Sequence, residues 1–100
     1  MPTAYVTAPP DDARSIARTL VDERLAACVN VVPCFSVYRW GDDVHEDDEA
    51  ILLAKTTAAR YPDLEARVLE AHPSDVPCVE RVEVADATDA FAAWCTDAVE

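Results

Sequence analysis

The sequence predicts one α+β domain whose elements follow the order β-α-β-β-α-β, with one more helix at the C-terminus. Two segments with apolar residues at helical spacing alternate with β-prone segments, and a Trp-Gly-Asp-Asp turn joins two long strands into a hairpin. Hydrophobic residues make up 51% of the 100 residues, which is enough for a packed core. A chain of this length forms a single domain, taken here as residues 1–100, and buries about two-thirds of its unfolded surface.

The first strand is predicted at residues 4–8, where β-prone residues are followed by Pro9. Pro10 suits the first position of a helix. The two Asp residues after it would lie in the first turn, where the positive end of the helix dipole stabilises negative charge. Apolar residues then recur at three- and four-residue steps, which predicts an amphipathic helix that ends near Ala26. These residues are Ala13, Ile16, Ala17, Leu20, Val21 and Leu25.

A long β-hairpin is predicted next, with one arm at Cys28 to Trp40 and the other at Val44 to Thr57. Pro33 lies within the first arm and indicates an edge strand or a bulge. The second arm begins with a polar run, whereas residues 50–54 are apolar on both faces and are predicted to be buried. The tip therefore extends past the core. Its apolar side chains would promote edge pairing unless a partner covers them, and they are Phe35, Val37, Tyr38 and Trp40.

The second half continues with a helix predicted from Pro62 to His72, closed by the proline that follows. A final strand is predicted at residues 77–85, and Thr88 or Asp89 caps the terminal helix. Parallel neighbours joined by helices, with an antiparallel hairpin between them, give the split pattern of ferredoxin-like folds. The predicted apolar stripe of the terminal helix contains Phe91, Trp94, Cys95 and Ala98.

Composition narrows the classes of partner. Twenty acidic residues against eight basic ones give a net charge of −12, and no Lys or Arg cluster is present to bind nucleic acid or an anionic membrane. A single glycine excludes glycine-rich phosphate loops. Apolar runs reach only six residues and the N-terminus has no leader pattern, so we predict a soluble, cytoplasmic protein. The Asp-rich, Lys-poor composition is similar to that of halophilic proteins and predicts that salt stabilises the fold.

Catalysis is not predicted. A nucleophilic hydrolase needs a Ser or Cys with a histidine base, yet His45 and His72 are the only histidines and no serine lies in a nucleophile-elbow motif. A phosphate-ester or acyl-phosphate hydrolase on this fold would need an arginine in the loop after the first strand, and that loop is acidic. We therefore predict that the chain is not an enzyme.

Metal binding is the more plausible chemistry, because imidazole and thiolate suit copper and zinc. His45, Asp47 and Glu49 alternate along one arm and could form a shallow site, although a solvated acidic strand explains the same residues. His72 fits either a metal ligand or a helix-capping group. The four cysteines have no two-residue spacing and are predicted to be reduced.

Five short motifs together carry a family resemblance that covers essentially the whole chain. They are Thr7-Ala8-Pro9, residues 25–30, Tyr38-Arg39-Trp40, Lys55-Thr56-Thr57, and His72-Pro73 followed by Pro77. In this order and spacing they resemble the CutA family of divalent-cation tolerance proteins. The resemblance implies a ferredoxin-like subunit in a tight homotrimer whose hairpins pair between neighbours, with interface residues Phe35, Val37, Tyr38 and Trp40. It also implies a non-enzymatic role in copper tolerance. The alternative is a trimeric small-molecule sensor similar to the PII proteins.

The resemblance also implies which residues would bind a divalent metal ion. Some family members use a Cys beside the Thr-Ala-Pro turn and two histidines before the proline as copper ligands. In this chain Val6 stands at the position of the Cys and Ala71 at that of the first histidine, so His72 is the one ligand of this set that is present. Cys78 and Cys28 are the candidates to complete the site. No cofactor is obligatory, and Cu(II) is the candidate ion.

Overall fold

A computed structural model describes residues 1–100, and it confirms the predicted α+β class and order of elements. All seven predicted elements are present. Their bounds are β1 (Pro2–Ala8), α1 (Pro10–Asp22), β2 (Cys28–Trp40), β3 (Asp43–Lys55), α2 (Tyr61–Ala71), β4 (Val79–Glu83) and α3 (Asp89–Val99).

The first helix ends earlier than predicted, at Asp22 instead of near Ala26. Arg24 adopts a left-handed conformation, with φ at 58°, and the amide of Leu25 donates to the carbonyl oxygen of Leu20 at 2.9 Å. These features form a Schellman motif, which closes a helix by satisfying its last carbonyls. Leu25 and Ala26 are buried even so. The apolar pattern therefore continued past the helix because the turn returns the chain to the core.

The four strands form one sheet in the order β2-β3-β1-β4, and every hydrogen-bonded pair in it is antiparallel. The prediction of parallel neighbours was wrong in this respect. The strands joined by α1 run in the same direction, but β3 lies between them, and β1 likewise separates β3 from β4. The position of β2 at the edge confirms the interpretation of Pro33, because an edge strand tolerates a residue that cannot donate to the ladder.

The main core lies between the sheet and the helices α1 and α2. Side chains alternate along a strand, so one face of β3 contributes Ala50, Leu52 and Ala54 to this core. Ile51 and Leu53 point to the other face and are only half-buried, so residues 50–54 are not buried on both faces as predicted. The remaining core members are Ala4, Val6, Ala8, Ala13, Ile16, Leu20, Leu25, Ala26, Tyr61, Leu64 and Val68.

The C-terminal helix packs in a separate, smaller cluster. Thr88 caps it as predicted, since its hydroxyl accepts from the amide of Phe91. Cys95 and Val99 are buried there together with Ala27. Phe91 and Trp94 pair with each other at 5.8 Å but stay exposed, so only part of the predicted stripe is buried. No helix in the structure has the length and apolar character to cross a membrane.

The hairpin extends beyond the rest of the sheet. Pairing of β1 with β3 stops at Ala8 and Ala50, whereas β2 and β3 continue through seven more pairs to Trp40 and Asp43. We call this part, residues 34–49, the ribbon. A two-residue turn closes it, where Gly41 has a φ of 63° that favours glycine. The ribbon accounts for the elongated shape of the molecule, which measures 46 × 25 × 20 Å.

A cleft beside the ribbon as the candidate functional site

A cleft of about 620 Å³ lies between the ribbon and the loop that connects α2 to β4. Tyr38 and Trp40 line it from the ribbon, and His72 and Cys78 line it from the loop side. Thr7 contributes the end of β1. The structure therefore brings two of the three predicted metal ligands into one cleft, and three of the four predicted interface residues, Val37, Tyr38 and Trp40, also line it.

Both ring nitrogens of His72 are engaged in hydrogen bonds. Nε2 lies 2.7 Å from the carbonyl oxygen of Thr7, and Nδ1 accepts from the amide of Ser74 at 3.0 Å. Because a carbonyl can only accept, Nε2 carries the proton, and because Nδ1 accepts, it carries none. The imidazole thus connects the end of α2 to β1, and neither nitrogen has a free lone pair for a metal ion.

Cys78 presents a protonated thiol to the cleft. Its Sγ donates to Oε1 of Glu80 at 3.7 Å. Desolvation raises the pKa of the Cys78 thiol, hydrogen bonding with Thr7 opposes this effect, and the charge of Glu80 raises the pKa further. Metals bind the thiolate form, so a metal ion at Cys78 would have to displace a proton.

Cys28 lies at the opposite end of the sheet from His72. Across the sheet, Cys28 is level with Thr3 at the start of β1, because both residues pair with Lys55. His72 instead contacts Thr7, near the end of β1. Four residues along a strand span about 13 Å. Cys28 therefore cannot bind the same metal ion as His72, since metal–ligand bonds are near 2 Å.

The alternating residues of β3 do not form a metal site either. The hydroxyl of Tyr38 donates to Asp47 at 2.5 Å, and the ring of Tyr38 stacks on His45 with centroids 5.5 Å apart. Asp47 is thus committed to a tyrosine on the neighbouring strand, and this hydrogen bond is the largest cause of the raised pKa of Tyr38. No group of three or more His, Cys, Asp or Glu side chains in the chain is arranged to hold a metal ion.

The cleft carries negative charge that the sequence did not indicate. Glu49 and Asp75 line it, no Lys or Arg does, and neither carboxylate forms an ion pair. Glu49 stood out in the sequence only as one of the alternating residues of the second arm, and Asp75 did not stand out at all. Only the pairing of β2 with β3 and the position of the loop place them together with the aromatic rings.

The sequence matches one protein family over nearly its whole length. The pattern of the family described as CutA1 divalent ion tolerance protein matches residues 3–98. The divalent-cation tolerance protein CutA of Thermus thermophilus is 45% identical over 91 residues, which cover 89% of this chain and 88% of that protein. Human protein CutA is 35% identical over 99 residues, and the match spans 97% of this chain but only 55% of the human protein.

Solved structures agree with these matches. The Thermus thermophilus divalent cation tolerance protein superimposes with a TM-score of 0.93 at 41% identity, covering 100% of both chains. A structure described as the PII-like protein CutA from Nostoc superimposes with a TM-score of 0.96 at 29% identity, covering 100% of this chain and 98% of that one. A relative from Arabidopsis thaliana is named chloroplastic and the Archaeoglobus fulgidus structure is described as periplasmic, so the cytoplasmic location of this chain stays a prediction.

Proposed function

The chain belongs to the CutA1 family of divalent ion tolerance proteins, and we propose that it supports copper tolerance as a non-enzymatic homotrimer. The observation that carries this proposal is the family match, which extends over residues 3–98. The structure adds two features that the proposal uses, the unsupported ribbon and the cleft beside it.

The ribbon supports the assembly part of the proposal. Its side chains are unusually exposed for their type, with Phe35 at 62%, Val37 at 58%, Trp40 at 55% and Tyr38 at 41%. β2 also leaves one edge of backbone groups unpaired along its whole length. Exposed apolar edges of this kind promote association. Neighbouring copies that cover the ribbon would bury its apolar side chains and shield the unpaired backbone edge of β2.

The copper part of the proposal rests on the two candidate ligands in the cleft. Imidazole and thiolate suit copper, but His72 and Cys78 alone supply too few ligands to complete the coordination sphere of the ion. Cu(II) would also have to replace the amide of Ser74 at Nδ1 and the proton of the Cys78 thiol. A single subunit therefore does not fit the ion by itself. A third ligand is required, and we propose the nearby Asp75 or a neighbouring subunit as its source.

Titration calorimetry with Cu(II) tests this proposal. We expect heat of binding for the unmodified protein, loss of most of it in His72→Ala, and retention in His45→Ala, which removes the only other histidine. Equal heats for all three proteins would show that the ion binds elsewhere, such as along the acidic surface. A growth assay in a copper-challenged host lacking its own family member provides the cellular readout, with rescue expected from the unmodified protein.

A trimeric small-molecule sensor is the second candidate. The size of the cleft favours it, because small-molecule sites range from about 300 to 1,000 Å³, and the Nostoc structure is described as PII-like. Calorimetry separates the two functions. Absence of Cu(II) binding together with saturable binding of a metabolite would favour the sensor.

A further inference from the structure

We infer that Cys28 and Cys95 form a second metal site, which binds one Cu(I) ion between two thiolates. The inference deepens the proposed role in copper tolerance, and it uses a cysteine, Cys95, that lies outside the ligand set implied by the family resemblance. Three observations support it: both cysteines lie at the contact between α3 and the start of β2, neither thiol has a hydrogen-bond partner, and the amine of Lys55 beside them forms no ion pair.

The packing of α3 brings the two cysteines to one place. Cys95 and Val99 form the small buried cluster with Ala27, which directly precedes Cys28 in the chain. The carbonyl oxygen of Val99 accepts from Nε of Arg60 at 2.8 Å, and this contact holds the end of α3 in position. Both thiols therefore lie where the last turns of α3 meet the start of β2. This contact lies outside the ribbon, so the site does not depend on whether neighbouring copies cover the ribbon.

Neither thiol of the pair is engaged in a hydrogen bond. The Sγ atoms of Cys34 and Cys78 have oxygen partners at 3.8 and 3.7 Å, whereas those of Cys28 and Cys95 have none. Cys95 is fully buried and Cys28 is half-buried. An ion would therefore enter from the Cys28 side, and the surroundings of Cys95 would shield it from water. In contrast to the imidazole of His72, no existing hydrogen bond has to be broken.

Lys55 supplies a positive charge beside the two thiols. It is the only lysine in the chain, and it pairs directly with Cys28, so both side chains project from the same face of the sheet. Its Nζ donates to Oγ1 of Thr3 at 3.4 Å, but it forms no ion pair, although the chain has 20 acidic residues. Arginine provides the cation in every ion pair of the chain. Desolvation is the largest cause of the raised pKa of Cys95, charge at Cys28 raises it further, and the ammonium of Lys55 opposes both effects.

Two thiols and one ammonium group match the chemistry of Cu(I). Thiolates are the ligands that this soft ion selects, and two of them in a linear arrangement satisfy it. Binding replaces the proton on each sulfur by a Cu–S bond, and both protons leave to solvent. The resulting complex carries one negative charge, which the ammonium of Lys55 neutralises. Zn²⁺ does not fit, because structural zinc sites take four protein ligands and no group of three or more such side chains is present.

Transfer of Cu(I) from a coloured chelator tests the inference. Reduced protein is added without oxygen to the Cu(I) complex of bathocuproine disulfonate, and the loss of absorbance measures the ions taken up per subunit. We expect Cys28→Ser and Cys95→Ser each to take up one ion fewer than the unmodified protein, and Cys34→Ser to match the unmodified protein. Circular dichroism confirms that each variant is folded, and the half-buried Cys28 provides the test if Cys95→Ser fails to fold. Unchanged uptake in Cys28→Ser, or an equal loss in Cys34→Ser, would overturn the inference.

Two further variants separate this site from the cleft. Cys78→Ser removes the thiol of the cleft and should retain the ion that the other two thiols bind. Lys55→Met removes the ammonium group and leaves both thiols, so we expect the Cu(I) affinity to fall about tenfold. An affinity of Lys55→Met equal to that of the unmodified protein would contradict the inference.

The two oxidation states of copper distinguish this inference from the proposed function. If Cu(I) uptake does not depend on Cys28 while the heat of Cu(II) binding still depends on His72, this inference alone is overturned. If neither ion binds, the proposed role in copper tolerance is contradicted as well.

Discussion

The imidazole of His72 joins two distant parts of the chain, since its Nε2 donates to the carbonyl oxygen of Thr7 at 2.7 Å. The two residues are 65 positions apart. The contact fixes the end of α2 against the end of β1 and sets one wall of the cleft. The His-Pro motif that carries the family resemblance therefore has a structural role that is independent of metal binding.

Replacing this histidine should destabilise the fold. His72→Ala removes the hydrogen bonds to Thr7 and Ser74, and we expect the free energy of unfolding to fall by about 1–3 kcal/mol. Urea denaturation at one fixed protein concentration measures the change. His45→Ala is the comparison variant: it removes only a stacking contact with Tyr38 on the exposed ribbon, so its loss should be smaller, about 0.2–1 kcal/mol. A loss in His72→Ala no larger than that in His45→Ala would contradict the structural role of the His72 hydrogen bonds.

The Lys-Thr-Thr motif yields a second prediction about stability. Thr56 is fully buried, and its hydroxyl donates to the carbonyl oxygen of Leu25 at 2.7 Å. Thr56→Val keeps the shape but leaves this carbonyl without its side-chain partner, so we expect a loss of about 1–3 kcal/mol. Thr96→Val, on an exposed part of α3, should change stability by less than about 0.5 kcal/mol in the same denaturation experiment. Equal losses would refute the role of the buried hydroxyl.

Local sequence patterns predicted most of the fold. Two errors in the prediction, the end of α1 and the neighbours in the sheet, have physical causes. The helical spacing of Ile16 and Leu20 and the β-prone run of β2 specify their elements within the sequence itself. The end of α1 was misplaced because Leu25 is buried after a left-handed Arg24, a conformation that the residue type does not indicate. The order of the strands depends on tertiary packing, so the sequence alone suggested parallel neighbours that the sheet does not contain.

The site was less predictable. His72 and Cys78 stood out because their types bind metals, but the partner of His72 is a backbone carbonyl far along the chain, which has no sequence signature. Asp75 belongs to no motif, and Glu49 was noted only in the alternating pattern with His45 and Asp47, which does not indicate that it lines this cleft. Cys28 was a candidate only through its position in the family pattern, and the pairing register places it at the other end of the sheet.

Alkaline pH should weaken the fold through its buried thiol. Burial raises the pKa of Cys95, the neighbouring Cys28 raises it further, and Lys55 partly offsets both effects. The pKa of Cys95 in the folded state lies above its unfolded value of about 8.5. The stabilisation from the neutral thiol is therefore fully present below about pH 8.5, and it is lost as the pH rises through the folded-state pKa. Denaturation midpoints measured across this range should fall with rising pH.

Two variants test the source of this dependence. Cys95→Ala should lower the stability at neutral pH and flatten the alkaline decline. Val99→Ala removes volume from the same small cluster without removing a titrating group, so its decline should match that of the unmodified protein. An identical decline in Cys95→Ala would assign the effect to other groups.

Salt should stabilise the protein. At a net charge of −12 the surface repels itself, and this repulsion acts over about 8 Å at physiological ionic strength but only about 3 Å at 1 M. We expect the melting temperature to rise between dilute buffer and 1 M KCl. The double variant Glu46→Gln/Asp48→Asn, which removes two charges from the ribbon, should show a smaller rise. A melting temperature that falls with added KCl would contradict this prediction.

The mass of the particle in solution tests the central claim most directly, namely that neighbouring copies cover the ribbon. Multi-angle light scattering should give three times the subunit mass of 10.9 kDa, and Phe35→Glu, which puts a charge on the ribbon, should shift the mass towards one subunit. A well-behaved species of 10.9 kDa for the unmodified protein, with the ribbon open to solvent, would contradict the proposed homotrimer.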